Sequence, residues 1–197
     1  MNILSTKWPT GIRVTVGALA ETPMEGVRDN IRIEPQPFPD VSALDGGDVV
    51  IAIKSSGVSW VDLIMLSGQY QHMPRLPYCP GLEYSGEVAW VGPDVSPEQT
   101  RVGDRVFVDC FTVGPRTSGP YQSYGGFASY AVAPAAAVRA IPDGFDFDHA
   151  CNFAGNYETA YHCLVACGKL SAGETVLIHG ASGATGVPAV QIAKHLG

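Results

Sequence analysis

Basic residues are scarce and nowhere clustered. The sequence holds 12 Lys and Arg against 19 Asp and Glu, a formal net charge of -7. Nucleic acid and anionic membrane surfaces are therefore excluded as main partners, since both are held by positive fields. No apolar run approaches the ~18 residues that a membrane-crossing helix needs. Met1 to Pro9 lacks the charged-then-apolar pattern of a secretion signal. Cysteine is also sparse: Cys79, Cys110, Cys151, Cys163 and Cys167 are odd in number and irregular in spacing. That is no disulfide framework, and reduced thiols in a cytoplasmic protein are expected. No repeat or low-complexity tract is present. With 46% hydrophobic residues the chain has the material for a packed core.

Glycine and proline are plentiful, and they punctuate the chain. Short apolar runs at Ile12–Val16, Asn30–Glu34, Asp48–Lys54, Tyr84–Val91, Arg105–Val108, Phe127–Val132 and Val138–Ile141 each lie beside turn residues. Such spacing predicts a β-barrel-like or partly open β domain up to about Pro142. A short helix is expected over Ser59–Met65. Beyond Pro142 the pattern changes, with helices expected after Asp146 and over Thr159–Cys167.

Glu174 to Gly197 reads ETVLIHGASGATGVPAVQIAKHLG. Val176, Leu177 and Ile178 predict a short buried strand. Gly180, Gly183 and Gly186 predict a tight turn. Val187, Val190, Ala193 and Leu196 then recur at helical spacing. Strand, glycine turn and helix together aim backbone N–H groups and the positive end of a helix dipole at one point, which suits a pyrophosphate. The first glycine of the usual G-x-G-x-x-G is Ala181 here, so a glycine-rich turn that binds no nucleotide is the alternative.

Five blocks carry a resemblance to a known family: GDVVIAIKSSGVSWVDL, PGLEYSGEVAWVG, VGDRVF, GGFASYAV and LSAGETVLIHGASGATGVPAVQIAKHLG. In that order they resemble the medium-chain dehydrogenase/reductase superfamily, in its zinc-free, quinone oxidoreductase (zeta-crystallin-like) branch. The resemblance implies a mixed α/β fold. A GroES-like β-barrel-type domain over residues 1–145 would be followed, over 146–197, by connecting helices and the first βα unit of a doubly wound Rossmann domain. The family's later Rossmann strands and C-terminal return have no counterpart here. The chain is therefore expected to be an incomplete portion, inactive by itself. The activity implied is NAD(P)H-dependent hydride transfer to a quinone or enone, with NADPH as cofactor and NADH left open. Homo-oligomers of the full-length form are also implied. An enoyl-thioester reductase of the same superfamily is the close alternative, and a non-catalytic paralogue that acts by binding a partner is the distant one.

The resemblance also implies roles for single residues. Where the zinc branch places Cys and His this sequence has Ser59 and Trp60, and where it places a second His it has Leu82; none of these ligates zinc, so no metal is expected. Ser59, Asp62 and Tyr70 are the candidate catalytic residues. Ser59 is otherwise a turn residue, Asp62 a helix cap and Tyr70 an ordinary half-buried phenol. Glu83 fits the proline-glycine-x-glutamate block and is expected to be structural. Thr159 matches a threonine that approaches the nicotinamide carboxamide. Gly180, Ala181, Gly183, Ala184, Thr185, Gly186 and Val187 are the candidate cofactor-binding turn.

Overall fold

The run Asp48–Ser56 is β3, the strand on which the first unit is built. Its apolar residues do not alternate with polar ones because both of its faces are covered. Val49 and Ile51 face a core with Val88, Val106, Val108 and Ala131. Val50 and Ala52 face the opposite side, with Ala89, Tyr130 and Val132. β4 (Tyr84–Val91), β5 (Arg105–Val108), β6 (Tyr130–Pro134) and β7 (Val138–Ala140) complete a five-stranded sheet in the order β6-β3-β4-β5-β7. Every pairing in it is antiparallel. Register shifts at Val50/Ile51 and Ile53/Ser55 add twist between β3 and β4. Gly86 permits the closest approach in this pair: a β-carbon there would lie 2.2 Å from the Ala52 carbonyl oxygen.

The computed structural model describes residues 8–197. β1 (Gly11–Val16) and β2 (Ile31–Gln36) form a separate antiparallel ribbon, linked by the short helix α1 (Pro23–Glu25) and a π-turn over Gly26–Asn30. Pro35 lies inside β2, which tolerates it because, among the described residues, β2 pairs with β1 alone and so has an unpaired edge. The ribbon meets the rest of the unit through bridges Arg13–Ala128 and Val16–Tyr78, so among the described residues the sheet is open and not a continuously paired barrel. Gln36 fastens it. Its buried side chain donates to the Tyr130 carbonyl at 2.8 Å and accepts from the amides of Ser129 and Tyr130 at 3.0 Å. Trp8, Phe38 and Tyr130 pack beside this clamp, with Phe38 and Tyr130 edge to face at 5.2 Å.

The short helix α2 (Trp60–Met65) follows β3. α3 (Phe147–Cys151) ends the first unit, which runs to Cys151. Asp146 caps α3 as expected, accepting from the His149 amide at 2.8 Å. Ser85 donates to the Phe147 carbonyl at 2.6 Å, which ties α3 to β4.

The second unit, Asn152–Gly197, contains α4 (Ala154–Tyr161), a π-helical continuation His162–Cys167, and α5 (Gly186–Leu196). The Tyr157 hydroxyl donates to the Gln191 side chain and joins α4 to α5. One expectation fails here. Segment 174–179 is not a buried strand: no described residue pairs with it, and Leu177 is 81% exposed. Its apolar run is strand-like, but a strand exists only with a hydrogen-bonding neighbour. None of the helices among the described residues is long and apolar enough to cross a membrane.

Replacing Gln36 by Ala removes the partner of the Tyr130 amide and carbonyl, while the Ser129 amide keeps its bond to the Ile12 carbonyl. We expect a loss of about 2–3 kcal/mol, read as a melting temperature lower by roughly 4–9 °C. An unchanged melting temperature would show that the ribbon is held by other means.

Candidate functional site

Ser59 is the N-cap of α2, with an extended backbone that turns the chain out of β3. Ser59 and Asp62 form a reciprocal capping box. The Asp62 amide donates to the Ser59 hydroxyl oxygen at 3.3 Å. Asp62 Oδ2 accepts from the Ser59 amide and from the Ser59 hydroxyl, both at 2.9 Å. Asp62 Oδ1 reaches across to the Gly81 amide at 2.9 Å. The carboxylate is therefore a buried clamp between the start of α2 and the loop Tyr78–Glu83. Burial pushes its pKa up from 3.8, against the lowering effect of its hydrogen bonds from Ser59, Gly81 and Leu82.

The loop that Asp62 grips is tightly packed. Gly81, at φ +97, could not carry a side chain, since a β-carbon would lie 2.6 Å from the Phe127 nitrogen. Burial pushes the Cys79 thiol up to about 11, so it stays protonated, with the carbonyls of Pro80, Gly125 and Phe127 all within reach of its single S–H. Glu83 lends its carbonyl to the Ser56 hydroxyl at 2.9 Å and to the Gly57 amide at 3.0 Å. Tyr78 is buried, its hydroxyl without a partner among the described residues, and burial first, then the Asp62 charge, raises its pKa.

Tyr70 is half-buried against Val16, Met65, Leu66, Tyr78 and Leu82. Its ring meets His72 edge-on at 6.0 Å. Thus Ser59 and Asp62 are in direct contact, and Tyr70 sits beyond the far end of α2. Val58, which the sequence reading did not single out, and Trp60, weighed there only as a zinc position, flank Ser59 and are 75% and 73% exposed, which gives this end of β3 an apolar rim. Leu82, by contrast, is buried in the core beneath α2. Among the described residues no group of three or more His, Cys, Asp or Glu side chains is placed to hold a metal ion.

In the second unit Gly180 adopts φ +68 and begins a tight turn closed by the Gly183 amide on the Gly180 carbonyl at 2.9 Å. The Val187 amide then bonds the Gly183 carbonyl and α5 begins. Gly186 is essential to this shape, because a β-carbon there would lie 2.2 Å from the Gly180 oxygen and 2.7 Å from Ala181 Cα. The amides of Ala184 and Thr185 have no hydrogen-bond partner among the described residues. Ala181 and Ala184 are exposed, and so is Val187 on the first turn of α5. Two unpartnered amides at the start of an 11-residue helix fit a phosphate group. Thr159 is exposed on α4, where its hydroxyl donates to the Gly155 carbonyl at 2.6 Å.

Residues 45–143 match the model of the alcohol dehydrogenase GroES-like domain. The chain belongs to that family. Within it, the chain is 40% identical over 146 residues to a quinone oxidoreductase of Lama guanicoe, an alignment covering 74% of this chain and 40% of that protein. It is 32% identical over 195 residues to erythronolide synthase EryA2 of Saccharopolyspora erythraea, covering 98% of this chain and 5% of the synthase. A mycobacterial protein, Rv1454c, solved as a complex with NADPH, superposes with a TM-score of 0.73 at 29% identity, over 95% of this chain and 51% of that one. The chain thus spans about 40% of the quinone oxidoreductases it matches. These likenesses place it as an N-terminal portion of the medium-chain dehydrogenase/reductase superfamily, with the mixed α/β, GroES-like organisation described above.

The Asp62 clamp generates a pH signature. As pH rises above 3.8 the unfolded chain releases the Asp62 proton before the folded one does, so folding stability falls until Asp62 ionises in the fold. Asp62→Asn should flatten that part of the stability–pH curve measured by urea unfolding. A curve identical to that of the parent protein would contradict the buried, raised carboxyl.

Proposed function

We propose that this chain forms the acceptor-binding and cofactor-entering portion of an NAD(P)H-dependent, zinc-independent reductase of quinones or activated alkenes. The observation that carries the reading is the Gly180–Val187 turn. It offers two unpartnered amides at a helix N-terminus, in a chain 40% identical to a quinone oxidoreductase. Residues 1–145 would serve as the acceptor domain and 146–197 would open the cofactor domain. NADPH is the proposed cofactor, supported by its presence in the mycobacterial neighbour. Bound there, the dinucleotide supplies a hydride from its nicotinamide ring.

The chain's own residues then have distinct roles. Gly180, Ala181 and Gly183 keep the turn low, and Ala184, Thr185, Gly186 and Val187 form the start of the helix that faces the pyrophosphate. Thr159 spends its proton on Gly155, which leaves its oxygen to accept from a carboxamide N–H. Ser59 spends its proton on Asp62. We therefore assign Ser59 and Asp62 to positioning: they fix the N-terminus of α2 and with it the exposed rim of Val58 and Trp60. That rim suits a flat, apolar acceptor ring. Quinones and enones need little polarisation because the incoming charge delocalises over them. Tyr70 is the proposed proton donor to the reduced acceptor.

The identity to erythronolide synthase EryA2 extends through the glycine turn, over 98% of the chain. It favours a second reading, reduction of an enoyl thioester.

Turnover of NADPH by the full-length protein against quinones, enones and enoyl thioesters separates the two readings. We expect quinones and enones to be reduced, and Tyr70→Phe to lower kcat by about 10²-fold with little change in KM. Reduction of thioesters alone would reject the acceptor class proposed here.

A further inference from the structure

A cavity of about 660 Å³ opens in the first unit between Gln71–Met73 and the lobe 111–122. Its size is that of a small-molecule site. Gln122 joins its two walls: its Oε1 accepts the Arg75 amide at 3.0 Å, and its Nε2 donates to the Thr117 carbonyl. The Thr117 hydroxyl is fixed in turn on the Gly114 carbonyl at 2.7 Å. The walls are thus held in place before any ligand arrives.

The chemistry of the lining is one-sided. Arg116 sits over Phe111, its guanidinium carbon 4.2 Å from the ring centroid. A cation–π contact of this kind takes up no N–H group in a hydrogen bond. Among the described residues Arg116 makes no hydrogen bond or ion pair. Gln71, His72 and Ser118 add further donors, and among the described residues no carboxylate lines the cavity. Asp109, at the base of the lobe, has its Oδ1 engaged by the Phe111 amide at 2.9 Å. In a chain of net charge -7, an unpaired arginine among neutral donors marks a place kept for an anion from outside.

We propose that this cavity is an anion subsite that takes the carboxylate or phosphate of a small-molecule acceptor. Arg116 is the fork that grips it, with His72 opposite. The link to the reaction is Tyr70, whose ring is 6.0 Å from that of His72. An acceptor seated with its anionic end on Arg116 would extend past His72 toward the phenol proposed as proton donor. Assignment to the acceptor rests on the reductase reading; the anion site does not.

The test is an NMR titration of the chain with inorganic phosphate and, separately, with acetate. We expect saturable shifts of the Arg116 and His72 side-chain resonances with at least one of them. Arg116→Gln should weaken that binding by about tenfold or more, and Arg116→Lys should restore part of it. Arg28→Gln, on the π-turn and outside the cavity lining, should change nothing. Saturation by phosphate alone assigns a phosphorylated acceptor, and by acetate alone a carboxylic one. Absence of saturation, or equal loss in Arg28→Gln, overturns the site. A second arm compares an enone carboxylic acid with its methyl ester; tighter binding of the acid that vanishes in Arg116→Gln is expected. Equal binding of the two overturns the assignment to the acceptor. Failure of all turnover would defeat the reductase reading and leave the phosphate and acetate results standing.

Discussion

The loop from Tyr78 to Glu83 is the constraint on which the first unit depends. It is gripped from four directions. Asp62 takes the Gly81 amide, and β1 pairs with Tyr78 through Val16. The carbonyls of Pro80 and Gly81 accept the amides of Phe127 and Gly126 at 2.9 and 2.7 Å. The carbonyl of Glu83 ends β3 by holding Ser56 and Gly57. So many short backbone contacts meet here that side chains are excluded: a β-carbon on Gly125 would lie 2.1 Å from the Cys79 oxygen. A buried carboxylate is costly to place, and three donors on one side chain offset that cost. The result is a stiff frame under the exposed rim of Val58 and Trp60.

Ser59 and Leu82 stand where the resemblance would put ligands in the zinc branch, and each has a structural part here. Ser59 caps α2, and Leu82 fills the core beneath it. What remains for chemistry is exposed apolar surface, the Tyr70 phenol and a polar cavity beyond it, a combination that suits an acceptor that needs orientation more than activation.

Much of this was legible in the residues. Tyr84–Val91 and Arg105–Val108 could be bounded to the residue because glycine, proline and aspartate stand beside them. The Ser59–Asp62 spacing was legible as well, but serine and aspartate three residues apart serve equally as a helix cap and as a polar site, and only the buried contact to Gly81 shows what Asp62 does. Segment 174–179 misled because its apolar run specifies strand character and not the neighbour a strand requires. The anion cavity was invisible for the same reason: its walls are joined by Gln122 and Arg75, separated by 47 positions in sequence. Local pattern is written in local residues, whereas pockets and sheet partners are properties of distant pairs.

The central claim is that the turn at Gly180–Val187 holds the pyrophosphate of a nicotinamide dinucleotide. The most direct measurement is equilibrium binding of NADPH, followed by its fluorescence, to the protein and to Gly186→Ala. The added β-carbon would collide with the Gly180 carbonyl oxygen and spoil the cradle. Saturable binding is predicted, weakened about tenfold by the substitution, while the unfolding of the first unit is unchanged. Equal affinity in the two proteins, or no binding to either, would contradict the claim.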